Sequence, residues 1–166
     1  MLAFFAAITL WSGYWYQFLT VGDSRPGSPL LWPDSNYNVS VRHINEKFQG
    51  TDHLYVIVQG KTENAMKSPE VLETLEAFQR HMLRSANVGG TDSLVDLTRQ
   101  VNTVLHNNDP RWGLLPQTAD DVGGVLMIAE HGSEPGDFDR WVNYNFQNGR
   151  ITVFLYDHKG DTIREV

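Results

Sequence analysis

Chemistry in this chain would have to come from His43, His53, His81, His106, His131 or His158, from carboxylates beside them, or from a serine hydroxyl. No two histidines stand at HxH or HExxH spacing, the arrangements that aim a pair of imidazoles at one metal. The densest constellation is His131 with Glu130, Glu134, Asp137 and Asp139, in a stretch broken by Gly132, Pro135 and Gly136. Such a set could hold a divalent cation or move a proton. The expected reading is nevertheless a solvated acidic loop. Asp157-His158-x-Gly160-Asp161 imitates a metal loop, but it lacks the alternating ligands of an EF-hand. A strand-ending turn and a helix cap at Asp161 are expected there instead.

Serine chemistry has no better footing. The chain has no GxSxG, and Ser93 is placed as a helix cap rather than a nucleophile. Gly89-Gly90-Thr91 is too short to cradle a phosphate and no lysine follows it. With no cysteine there is no thiolate, disulfide or cysteine metal site. Trp32, Trp112, Trp141 and Phe138 read either as core or as the lining of an apolar groove. No catalytic, cofactor-binding or metal-ligating residue is assigned, no cofactor is expected, and the chain is read as not an enzyme. A formal charge of −7 argues against nucleic acid, whose phosphates need a basic surface.

The elements that would position these residues follow from pattern and punctuation. Tyr37, Val41, Ile44 and Phe48 mark one helical face, capped by Asp34 or Ser35 and ended by Gly50. His53–Gly60 is a β-branched apolar run that reads as a central strand. Ser68-Pro69-Glu70 opens a helix with Val71, Leu75, Phe78 and Met82 inward. A short strand is expected over 88–91, then a helix with Leu94, Leu97, Val101, Val104 and Leu105 on one side, stopped by Asp109-Pro110. Thr118 and Asp121 cap a further helix carrying Val122, Val125, Leu126 and Ala129. Gly123-Gly124 inside it would fit close packing or a hinge. Asn148-Gly149 reads as a two-residue hairpin turn between 141–146 and 150–156. That register pairs Gln147 with Arg150, Phe146 with Ile151, Tyr144 with Val153 and Val142 with Leu155. The sum is an α+β layer, with helices on one face of a small, mostly antiparallel sheet.

The start is different in kind. Residues 1–22 carry no charged side chain, Asp23 being the first, and Trp11, Tyr14, Trp15, Tyr16 and Phe18 follow an apolar run. A bilayer span needs about 20 mostly apolar residues, and Trp and Tyr gather at its interface. No basic flank or small-x-small site marks a signal peptide. The stretch 1–21 is therefore read as the outer end of a transmembrane helix, with an ordinary buried element as the rival. Residues 22–35, rich in proline and glycine, read as an extended connector, and 36–166 as a domain. The missing flank at the start and the helix opening at Asp161-Thr162 make the chain an expected piece of a longer protein.

The order of these motifs resembles a known family. The run from Val21-Gly-Asp-Ser-Arg-Pro-Gly-Ser-Pro-Leu-Leu-Trp-Pro, then Ser35-Asn-Tyr-Asn, then Ile44-Asn-Glu-Lys-Phe-Gln-Gly, is similar to the resistance-nodulation-division (RND) superfamily. The branch is that of the mycobacterial large membrane proteins and Patched-like exporters. HLYVIVQG, Ser68-Pro69-Glu70, Thr91-Asp-Ser-Leu and Leu114-Leu-Pro116 follow in the same order. The resemblance covers about residues 20–160 and rests on motif order, since no single motif is diagnostic. It implies a porter subdomain of split βαβ (ferredoxin-like) plan, here incomplete, most similar to the second periplasmic loop of a proton-driven exporter. It implies hydrophobic or amphiphilic substrates, lipids among them, and a bacterial inner-membrane location with this domain facing the periplasm. The implied partners are the rest of the transporter chain, the membrane and the substrate, with no nucleic acid. The proton-relay helices of the family fall outside these residues, so no relay or substrate-contact residue is carried over. The alternative is a stand-alone, membrane-anchored binding module for an apolar ligand or protein partner. A sheet left open at its edge would be expected to pair with another copy, giving a homo-oligomer.

Overall fold

A computed structural model describes residues 2–18, 27–157 and 159–166 of the chain. The connector residues 22–26, Asp23 included, and His158 lie outside the described residues. The first element, α1 (Leu2–Tyr16), has no charge to pair and buries nothing: every described side chain from Phe4 to Phe18 is exposed. Among the described residues, no helix is long and apolar enough to cross a membrane.

The domain begins where Asn38 gathers the loop ahead of it. Helix α2 (Asn36–Lys47) is capped by the Ser35 hydroxyl, which accepts from the Asn38 amide at 3.3 Å. The Asn38 carboxamide donates to the Ser28, Leu31 and Trp32 carbonyls and accepts from the Ser28 amide at 2.9 Å. Gly27 sits at φ +102°, and a Cβ there would lie 2.3 Å from Asn38 Oδ1. The predicted face of α2 is only partly used. Val41 is buried, while Tyr37, Ile44 and Phe48 are exposed.

Three strands form one open antiparallel sheet in the order β1-β3-β2, with β1 at Asp52–Gln59, β2 at Val88–Asp92 and β3 at Asn148–Leu155. Both β1 and β2 run antiparallel to β3, so they run parallel to each other with β3 between them. Helix α3 (Pro69–Met82) joins them, which makes a split βαβ unit. The expected α+β class holds. The expected position of β1 does not. It is an edge strand rather than a central one, because β3, from the far end of the chain, takes the centre. Its burial agrees: Leu54, Tyr55 and Ile57 are exposed, and only Val56 and Val58 pack against the core.

Helices α3, α4 (Leu94–Leu105) and α5 (Ala119–His131) supply the core with Leu72, Leu75, Leu94, Val95, Val122 and Leu126 against Ile151, Val153 and Leu155 of β3. Ser68 contributes its carbonyl to the Leu72 amide, and its hydroxyl makes no cap bond. Ser93 and Asp96 do form a capping box at the start of α4. Its inward stripe is rotated from the expected one. Leu94, Val95, Thr98 and Asn102 are buried, and Val104 and Leu105 are exposed. The reason is polar: the buried Asn102 carboxamide donates to the Trp112 and Leu114 carbonyls and ties down the following loop. Thr118 caps α5, accepting from the Asp121 amide and donating to its carboxylate at 2.6 Å.

The expected hairpin is corrected. Asn148-Gly149 opens β3 instead of turning, and the chain reverses earlier, over Asn143–Phe146. Val142 faces Gly149 in a single bridge, and the Asn143 side chain accepts from the Asn148 amide at 2.8 Å. Phe146 takes φ +52° to drop its ring into the core, a strained backbone offset by near-complete burial. Gly149 is needed for proximity rather than turning, since a Cβ there would lie 2.7 Å from Met66 Sδ.

Two more glycines mark a tight crossing. The Gln49-Gly50 corner runs past the ends of β2 and β3, where Cβ atoms on Gly89 and Gly50 would fall 2.0 Å from Gln49 O and 2.3 Å from Leu155 O. The register of β2 shifts at that point, between Val88 and Gly90. By contrast, Gly123 and Gly124 would meet nothing within 4 Å, so close packing does not account for them. Gly50→Ala and Gly124→Ala should therefore act in opposite directions. The first is expected to cost about 2 kcal/mol or more through backbone collision and positive φ. The second should stabilise by up to about 1 kcal/mol. Urea midpoints of the two variants against the parent check both signs.

Candidate functional site

The turn that replaces the expected hairpin creates a cleft beside the acidic loop. It starts from the end of α5, where the His131 ring nitrogen Nδ1 lies 2.8 Å from the Met127 carbonyl and Ser133 Oγ donates to Ala129 O at 2.7 Å. Gly136 then takes φ +99°, and the Asp137 carboxylate accepts from the Glu134 amide at 2.9 Å. A 3-10 turn over Asp137–Arg140 carries the chain inward to Trp141. Between this loop and the 143–146 reversal lies a cleft of about 300 Å³.

Its walls are of two kinds. Phe138 and Phe146 meet with ring centroids 6.1 Å apart, and Tyr144, 98% exposed, stands free at the mouth. Glu130, Glu134 and Asp139 line the same cleft and are exposed to solvent. Lys67 Nζ sits 4.0 Å from the Phe146 centroid, a cation already drawn to the aromatic face. About 300 Å³ is at the small end for a ligand pocket. An apolar group between aromatic walls, with a positive group at the acidic rim, matches this lining.

The constellation built on His131 is only partly brought together. Glu130, Glu134 and Asp139 share the cleft, Asp137 is used by the loop backbone, and His131 is held by its own helix. Among the described residues, no group of three His, Asp or Glu side chains could hold a metal ion. Ser93 is fully buried and donates to Gln79 Oε1 at 2.9 Å, so its hydroxyl belongs to the core. Gly89-Gly90-Thr91 is part of β2.

The aromatic groove is also divided. Phe138 and Trp141 lie edge to face at 6.0 Å, but Trp112 stacks on His106 at 3.7 Å and Trp32 stands exposed ahead of α2. Trp141 is buried, donates from Nε1 to Asp92 Oδ2 at 2.9 Å and carries the Arg140 guanidinium 3.8 Å above its ring. The hairpin pattern puts the cleft residues Tyr144 and Phe146 in a strand, whereas the structure puts them in the reversal ahead of β3. The signal for a wider reversal was the polar set Asn143, Asn145 and Asn148, each able to replace a backbone partner.

The second loop is a helix start. Asp157 accepts from Thr162 Oγ1 at 2.5 Å and from the Lys159 amide at 3.3 Å, and pairs with Lys159 Nζ at 2.7 Å. These contacts hold α6 (Gly160–Glu165) against the end of β3, while Asp161 pairs with Arg164 and makes no cap bond. Burial pushes the Asp157 carboxyl up, but the Lys159 ammonium, the Thr162 hydroxyl and the Lys159 amide outweigh it and hold the carboxyl below its ordinary value.

Comparison with known proteins finds no family model, no curated protein and no solved structure that matches this chain.

Because the folded-state value of Asp157 is depressed, its stabilisation is present above the ordinary aspartate range and is lost as pH falls through the lowered value. The amide resonances of Thr162 and Ile163 should therefore move together toward random-coil positions below about pH 3.8, the unperturbed value. In Asp157→Asn they should already be displaced at neutral pH.

Proposed function

We propose that this chain is a periplasmic porter-domain segment of a proton-driven RND-type exporter, and that it contacts hydrophobic or amphiphilic substrates rather than catalysing a reaction. The observation that carries the reading is α1, a helix without charge whose described side chains are all exposed, ahead in the sequence of a split βαβ unit. Phe4, Phe5, Ile8 and Leu10 lead into Trp11, Tyr14, Trp15 and Phe18, whose rings touch one another at 5.5–6.1 Å. Apolar residues passing into clustered Trp and Tyr are the pattern of a chain leaving hydrocarbon for the headgroup layer. At 15 residues α1 is about 22 Å long, short of the hydrocarbon thickness of about 30 Å.

Two further features support the reading. The motif residues of the resemblance have structural work to do: Asn38 gathers the Ser28–Trp32 loop, and Gln49-Gly50 passes the sheet ends. The cleft beside Tyr144 pairs aromatic walls with carboxylates, a lining suited to an amphiphile carrying positive charge. That cleft also favours the second reading, a stand-alone membrane-anchored module for an apolar ligand.

Neutral phosphatidylcholine vesicles with brominated acyl chains test the membrane part. Tryptophan emission should be quenched in the parent chain and spared in Ile8→Asp; if the parent stays unquenched in the aqueous phase, α1 is no membrane segment. The genomic reading frame on both sides separates the two readings. Flanking membrane helices support the exporter, and start and stop codons closely bounding these residues, with no such helices beside them, overturn it.

A further inference from the structure

Tyr144 separates two hollows of opposite charge. On one side is the acidic cleft. On the other is a groove of about 440 Å³, with Ile57, Trp141, Asn148 and Arg150 in its lining. Asp139, Val142, Asn143 and Tyr144 border both, so the hollows adjoin along one ridge.

Two guanidiniums meet at the groove. Arg150 Nε donates to the Arg140 carbonyl at 2.7 Å and its guanidinium stands 5.1 Å from the Tyr55 ring, while the Arg140 guanidinium covers Trp141. Among the described residues neither has a carboxylate partner, and Glu130, Glu134 and Asp139 have no cationic one. Asp139 and Arg140 are neighbours in the chain and still do not pair. With 20 Asp and Glu against 13 Lys and Arg, a cation here has carboxylates in excess to find. Ring stacking and the Arg140 carbonyl instead hold these two apart from the acids, so both signs stay open to a ligand.

We propose that the two hollows take one ligand, a zwitterionic amphiphile whose phosphate lies at Arg150 and Arg140 and whose terminal ammonium crosses Tyr144 into the acidic cleft. The assignment rests on the reading of this chain as one that contacts amphiphiles, and it names the headgroup. Guanidinium groups match phosphate oxygens in fork geometry. A quaternary ammonium suits aromatic faces beside carboxylates, and Tyr144 and Phe138 offer those faces, since Lys67 already lies on Phe146. The apolar chain leaves along Ile57, which is exposed on the groove wall. A purely cationic ligand would leave both arginines unanswered, and a purely anionic one would meet Glu130 and Glu134 across the ridge. Complementarity of both signs is what selects the partner.

Hexylphosphocholine, hexyltrimethylammonium, hexyl phosphate and a hexyl sulfobetaine, whose ammonium lies nearest the tail, separate the possibilities. They share one tail, so binding by exposed α1 cancels between them. Below micelle formation, the amide shifts of Tyr144, Gly149 and Arg150 should report hexylphosphocholine binding about tenfold tighter than each of the other three. Arg150→Gln should weaken the phosphocholine about tenfold and leave the trimethylammonium unchanged. Glu130→Gln with Glu134→Gln should weaken both of these and spare hexyl phosphate. Tyr144→Ala removes a side chain that is 98% exposed, so it should weaken the phosphocholine while the near-ultraviolet signal of buried Trp141 persists, and it serves where the arginine variant fails to fold. Equal affinity for all four headgroups overturns the inference and leaves amphiphile contact standing. So does a preference for one charge that the opposite variant does not move. No shift at these amides with any ligand overturns it as well, while vesicle quenching and the reading frame decide the exporter reading separately.

Discussion

Everything in this domain is organised by the burial of β3. Among the described residues it is the one strand with a neighbour on each side, and Ile151, Val153 and Leu155 on its inner face are the floor on which three helices rest. Thr152, on the outer face, is also buried. The other strands are defined by it, since β1 and β2 do not touch each other as partners and share only their pairing with β3. The middle strand is thus supplied by a segment 56 positions beyond the end of β2, as Asp92 and Asn148 mark the two limits. Contacts so distant in sequence have a large loop-closure cost, and they must be rewarded by apolar burial that local helices could not provide alone.

A second set of constraints fixes how the chain enters the sheet. Asn38 satisfies three carbonyls and one amide of a loop that has no regular structure. Gly50 and Gly89 then let backbone pass backbone at the sheet ends, where any side chain would collide. The polar core around Gln79 acts in the same sense: its carboxamide bonds Ser93, Thr91 and Asp96, joining α3, β2 and α4 at one point. Buried amides with all their partners specify an arrangement, whereas apolar packing alone would tolerate sliding.

Local signals were legible in the sequence and tertiary ones were not. Ser35, Ser93 and Thr118 cap the helices expected of them, because capping is decided within four residues. The edge position of β1 was not legible, since a β-branched run looks alike whether both neighbours or one are present. The α4 stripe turned because Asn102, polar by type, is held in the core by the Trp112 and Leu114 carbonyls of the loop that follows the helix. Asn148-Gly149 misled for a similar reason. The dipeptide is favoured in tight turns, but here the glycine answers to Met66, a residue no local pattern connects with it. The acidic loop read correctly as exposed, while the cleft beside it depended on where the chain reversed.

The late position of β3 also has a consequence for the order of events at synthesis. On the ribosome, β1 and β2 emerge long before the strand that joins them, and neither can pair with the other in its final arrangement. HLYVIVQG would then be an extended, uncharged ribbon presented to the cell with both of its edges open. A nascent domain of this order depends on protection of that ribbon, by a chaperone or by early docking of Met66 and α3, until residue 155 has left the exit tunnel.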